Sequence, residues 1–206
     1  RFGLEHRFAL DSLLVDNVKW SLNHQIAKTD QSTEEYYYPI TRKVLRTRDT
    51  VYEEKQWVFD AQLDKAFAIG DTDHVLTYVT TIKQQKVTVS RSGDGKCLAV
   101  GHGCTAIGAT STADVLVKAT DFPDPTINTY SLFAQDQISW NDWTFLPGLR
   151  YDYTQLKPKI TQEFLNTVAA DGQGTVSDKN KTGHKVSPKF GLTYALSENY
   201  TWYGQY

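Results

Sequence analysis

The sequence has no methionine, only two cysteines, and no surplus of charge: 22 Lys and Arg stand against 24 Asp and Glu, a net charge of −2. A chain this close to neutrality, with pI ≈ 6.2, lacks the basic excess that phosphate backbones attract, so nucleic acid is not an expected partner. Nowhere do about eighteen apolar residues run together, so neither a membrane-spanning helix nor a signal peptide is expected within this sequence. Mean hydropathy is −0.48. Catalytic signatures are missing too. There is no Gly-x-Ser-x-Gly elbow, no His-Glu-x-x-His pair and no phosphate-cradling glycine loop, so no enzyme activity is expected. What is abundant is aromatic, 13% of 206 residues, which argues against disorder. None of these absences excludes a membrane β-barrel, whose strands are apolar only at alternate positions.

Alternation recurs eight times. Phe2, Leu4, Phe8 and Leu10 alternate with Gly3, Glu5, Arg7 and Ala9; Val18, Trp20, Leu22 and Ile26 alternate with Lys19, Ser21, Asn23 and Gln25. The pattern continues from Trp57 to Phe67, Leu76 to Gln85, Tyr130 to Trp140, Phe145 to Tyr153, Val186 to Leu196 and Tyr200 to Tyr206. Helical spacing does not fit these runs, and the period of two predicts half-buried strands. His6, His24, Lys65 and Asp136 fall on the apolar parity as exceptions.

Connections alternate in length. Short turns are expected near Asp11 to Asp16, Gly70 to His74, Asn141-Asp142 and Ser197 to Asn199, and long polar loops near 29–50, 89–126 and 157–184. Three structureless loops of that size are uncommon in a compact soluble domain, whereas an outer-membrane barrel has short periplasmic turns and long external loops. Trp20, Tyr52, Trp57, Phe67, Tyr130, Trp140, Trp143, Tyr151, Tyr153, Tyr200 and Trp202 cluster near strand ends, as expected of rings at headgroup level. A soluble antiparallel barrel or sandwich is the alternative, since periodicity alone does not say which face meets lipid. The expected fold is an all-β, antiparallel transmembrane barrel occupying residues 1–206.

Some residues invite a ligand. Tyr36, Tyr37 and Tyr38 lie in the first long loop, where a phenolate would ligate ferric haem or a ring would stack on a porphyrin; an aromatic rim at the membrane interface is the plainer reading. His102 lies between Cys97 and Cys104, which would form a small disulfide loop in an oxidising compartment and would be free or bind metal in the cytosol. On a disulfide-bounded external loop its imidazole would reach haem from outside. The basic run Arg42, Lys43, Arg46 and Arg48 would attract an acidic group or face lipopolysaccharide. Glu5, Arg7, Asp60, Gln62, Asp64, Gln135, Arg150 and Lys189 share the polar parity and are expected to line a hydrated lumen.

The runs Tyr130-Ser-Leu-Phe-Ala-Gln-Asp-Gln-Ile-Ser-Trp140, Trp143-Thr-Phe-Leu-Pro-Gly-Leu-Arg-Tyr-Asp-Tyr153, Ser187-Pro-Lys-Phe-Gly-Leu-Thr-Tyr194 and Tyr200-Thr-Trp-Tyr-Gly-Gln-Tyr206 resemble consecutive barrel strands of TonB-dependent outer-membrane receptors. Residues 1–88 look most like the haem/haemoglobin branch. The resemblance implies about eight strands of a barrel with about 22, around a plug domain that is not in this sequence. It also implies haem as transported ligand, possession of no prosthetic group, coupling to TonB through the plug, and residence in the Gram-negative outer membrane among lipid and lipopolysaccharide. A ferric-siderophore receptor is the alternative substrate class, and a small adhesin or structural barrel the alternative architecture. The family's Phe-Arg-Ala-Pro haem-ligand motif is absent here and would be expected beyond Tyr206, so no family ligand carries over to a numbered position.

Overall fold

The computed structural model describes residues 1–37, 44–98, 100, 106–109, 116–120, 122–170 and 176–206. Among them the strands are β1 (Phe2–Ala9), β2 (Asn17–Tyr37), β3 (Val44–Ile69), β4 (Thr72–Gly93), β5 (Gly95–Cys97), β6 (Leu116–Ala119), β7 (Asp124–Trp140), β8 (Trp143–Lys159), β9 (Lys181–Ser197) and β10 (Tyr200–Gln205). They form one antiparallel sheet in the order β1-β2-β3-β4-β7-β8-β9-β10, with β5 on β3 and β6 on β4. The order follows the sequence, so the eight-strand path is a meander. It does not close on itself: β1 and β10 are its two edges.

Turn chemistry ends the strands where the sequence predicts. Gly70 adopts φ 59° between β3 and β4, and Asn141 adopts φ 50° between β7 and β8; glycine and asparagine tolerate this left-handed region best. Between β1 and β2, Asp11 has φ 46° and the Ser12 hydroxyl donates to the Val15 carbonyl at 2.9 Å. His74, expected in a turn, is instead the third residue of β4.

Of the segments expected as long polar loops, 29–50 is mostly strand, and 89–126 and 157–184 carry shorter stretches of strand and one helix among the described residues. The β2–β3 ladder continues without interruption from Asn17↔Asp64 to Tyr37↔Val44, so 29–37 and 44–50 extend the hairpin. β5 keeps the register of β4 along β3, with Val51↔Ser90 and Arg46↔Gly95 in step. At Gly93, the last residue of β4, a Cβ would lie 2.1 Å from the Thr47 carbonyl oxygen, so only glycine permits this approach. Within 157–184, Gln162–Ala170 is an α-helix, α1, whose first turn is capped by Thr161 Oγ1 accepting from Phe164 N at 3.2 Å. Alternation is lost in these segments because both faces meet water there. Hydrogen-bond ladders persist without an apolar stripe to mark them.

Few side chains are buried, as befits a single sheet with two functional faces. Phe2, Leu4, Phe8, Ile82, Leu132, Leu149, Val186 and Phe190 are exposed on one face. That face is the apolar parity of the sequence. Trp57 and Phe67 are ten residues apart on β3, Tyr130 and Trp140 ten apart on β7, and Trp143 and Tyr153 ten apart on β8. Ten residues span about 33 Å along a strand, which a tilt of roughly 40° reduces to about 25 Å, the height of a barrel's apolar band.

Candidate functional site: a two-faced wall

The outward face is graded in three rows just below its solvent-exposed end. The lowest row pairs Phe59, Ile82, Tyr130 and Tyr153 across β3, β4, β7 and β8. The next, two residues along, is Trp57, Gln84, Asn128 and Gln155, with His24 against Trp57 at 4.3 Å between ring centres. Gln84 Nε2 donates to Asn128 Oδ1 at 3.1 Å, which satisfies an amide that is 8% exposed. The third row is Lys55, Lys86, Thr126 and Lys157. Hydrocarbon, amide and cation thus succeed one another over four residues, the polarity order of a membrane surface. Tyr52, expected in the aromatic girdle, lies beyond these rows on the opposite parity, where its hydroxyl donates to Glu54 Oε2 at 3.2 Å.

At the other end a second aromatic belt holds Phe67, Trp140, Trp143 and Tyr194. Trp143 and Tyr194 are 4.3 Å apart. The parity exceptions find partners here. His74 stacks on Phe67 at 4.9 Å and its Nδ1 is 2.8 Å from Asp136 Oδ2, so the outward-facing carboxylate is paired. Lys65 reaches past the sheet to Asp16 Oδ1 at 2.6 Å and the Ser12 carbonyl at 2.9 Å. Those hydrogen bonds, with that from Ala66 N, hold the Asp16 carboxyl below its ordinary value of 3.8.

The other face is a polar wall. Asp60 accepts from Thr81 Oγ1 at 2.7 Å, and Asp64 from Thr77 Oγ1 at 2.7 Å and from Gln62 Nε2 at 3.0 Å. Arg150 Nε and Ser131 Oγ both donate to Asp152, at 2.9 and 2.5 Å. Glu5 pairs with Arg7 at 2.8 Å and Lys19 at 3.8 Å. Gln135 and Lys189, opposite Thr77 and Gly148, belong to the same face. The residues expected to line a lumen therefore do share one surface, and many are satisfied by wall neighbours. An open concavity of about 610 Å³ lies on the apolar face instead, between Leu63, Tyr78, Leu132, Ala134 and Leu149, and is no part of this polar surface.

Beyond the rows of lysines the β2–β3 hairpin carries Arg46 3.6 Å from Glu35. Beside it, α1 meets the end of β6, where Thr120 N donates to Thr167 Oγ1 at 3.3 Å and Thr120 is 1% exposed. Cys97 is fully buried and disulfide-bonded. Of the residues expected to bind haem, Tyr36 pairs with Leu45 on the same parity as His24, 66% exposed and away from the polar wall. Tyr37 ends β2, opposite Val44. Tyr38, His102 and Cys104, with Arg42 and Lys43, lie outside the described residues. Among the described residues no group of three or more His, Cys, Asp or Glu is placed to hold a metal.

Sequence reasoning missed the graded rows and the His74–Asp136 pair. The ten-residue recurrence of aromatics was the available signal for the first; the second depends on cross-strand register, which alternation does not supply.

An antiparallel meander with an apolar face banded by aromatics, and a polar face opposite, defines the wall of a transmembrane β-barrel. The family model "TonB dependent receptor-like, beta-barrel" matches residues 1–206. The chain belongs to this family. Its strands superpose on the ferric-catecholate import receptor Fiu from K12 E. coli with a TM-score of 0.57 at 14% identity, covering 98% of this chain and 31% of that one. The ferric citrate transporter FecA in its unliganded form gives a TM-score of 0.48 at 14% identity, covering 93% of this chain and 27% of that one. The chain thus spans less than a third of the length of these receptors. No curated protein is significantly similar in sequence.

Proposed function

We propose that the protein is an outer-membrane receptor importing haem, free or taken from haemoglobin, by TonB-coupled active transport. The observation that carries the transport reading is the pair of opposed faces. One is graded from hydrocarbon to cation over about one membrane interface; the other is a hydrogen-bonded polar surface suited to water and to a plug inside the barrel. The haem reading is supported by the resemblance of residues 1–88 to the haem branch. Tyr36 and Tyr37 at the end of β2, together with Tyr38 and His102, are its candidate contacts, and Arg46 and Arg48 would meet haem propionates.

In this reading substrate first meets the external hairpin and loops, and passage requires rearrangement of the plug, because the wall's own polar groups are engaged with one another. The test is a haemin titration of the detergent-extracted receptor followed at the Soret band, with a ferric siderophore in parallel. A saturable Soret shift at one haem per protein is expected, weakened in H102A and Y37F. Siderophore binding without a Soret shift would overturn the substrate and keep the transport architecture; silence with both would favour a structural or adhesive barrel.

A further inference from the structure

The geometry points to a phosphate-binding row on the outer wall: Lys86, Thr126 and Lys157, flanked by Lys55, which we propose holds the phosphate of a lipid headgroup. This rests on the membrane reading above. Lys55 stands directly opposite Lys86, Lys86 opposite Thr126, and Thr126 opposite Lys157, so all four project from one rung and one face. Like charges facing each other across a ladder repel, and a soluble wall would gain by placing a carboxylate at one of them. Lys55 is balanced within its own strand by Glu53 at 2.7 Å. Lys86 and Lys157 have no salt-bridge partner among the described residues, and both are exposed.

They flank Thr126 with one strand between them, about 10 Å apart at ~4.8 Å per strand spacing, a gap that a phosphate held by two ammonium groups and a hydroxyl would span. Height agrees with this. Lys157 is four residues beyond Tyr153 and Lys55 two beyond Trp57, so tilted strands place the ammonium groups roughly 5–10 Å above the aromatic belt, where headgroup phosphates lie. The amide row of Gln84, Asn128 and Gln155 lies between, at the depth of lipid carbonyls.

The experiment is lipid retention by the receptor purified in detergent, read by native mass spectrometry and by the shift in Tm. The probes are bisphosphorylated lipid A, the same lipid dephosphorylated, phosphatidylcholine and inorganic phosphate. Bisphosphorylated lipid A is expected to be retained and to raise Tm, the dephosphorylated lipid and phosphatidylcholine much less. K86Q and K157Q should each weaken retention about fivefold, and together about 25-fold, at roughly the strength of one lysine near an anionic surface. T126V tests the bridging hydroxyl. Haemin binding in K86Q/K157Q should match wild type, which shows that the variant is folded. Equal retention of the phosphorylated and dephosphorylated lipid, or unchanged retention by the double variant, overturns the proposal. So does a Tm shift produced equally by inorganic phosphate, which would mark a site for a soluble anion. A receptor that stays dispersed without detergent and enters no bilayer would overturn the membrane reading itself.

Discussion

Lys65 lies on the apolar parity of β3 and yet is not stranded in lipid, because its stem carries the ammonium down to Asp16 and the Ser12 carbonyl in the β1–β2 turn. The sequence shows Lys65 only as an interruption of the pattern. Its partner is 49 residues away, and nothing in local spacing reveals it. The Asp16 carboxyl, held below 3.8 chiefly by the Lys65 hydrogen bond, stabilises the fold above that pH, and the contribution is lost as pH falls through its lowered value. D16N should lower the midpoint of urea unfolding at pH 7 modestly, and the gap from wild type should close on acidification below 3.8; a gap independent of pH would contradict the assignment. Asp136 follows the same logic. Paired with His74 beside the Phe67 ring, it is an interface residue although its parity alone would bury it in hydrocarbon.

Among the elements, β7 best shows what alternation can and cannot reveal. Tyr130, Leu132, Ala134 and Ile138 on one face, and Ser131, Gln135 and Gln137 on the other, are legible from period two, and the strand follows as read. Its first six residues, Asp124 to Thr129, and the upper halves of β2 and β3 were not legible, because no apolar face is required above the membrane. The two faces of β7 make opposite demands. L132K, opposite Thr80 and Tyr151 in the middle of the apolar band, is expected to cost about 2–4 kcal/mol, whereas Q135K on the polar wall should stay within about 0.5 kcal/mol. Folding equilibria in lipid vesicles, followed by heat-modified gel mobility, measure both. Similar losses for the two variants would mean that the faces are not differently solvated.

For the molecule as a whole, the membrane-crossing parts of the strands, the short turns and the division into an apolar and a polar face were present in the sequence, since they follow from alternation and turn residues; the sheet order came from the structure. The candidate ligand residues are another matter. Tyr36 turns away from the polar wall, and Tyr38 and His102 lie outside the described residues. Family membership supplies the barrel; transport and substrate are the proposed part of the reading. The claim on which the rest depends is that one face of this sheet meets lipid and the other water. The most direct test is a scan of single spin labels through residues 130–140 of the receptor reconstituted in vesicles, with collision rates measured for lipid-soluble oxygen and a water-soluble nickel chelate. The account predicts oxygen maxima at 130, 132, 134 and 138 and chelate maxima at 131, 135 and 137. Accessibility that does not alternate, or that alternates in the opposite phase, would contradict it.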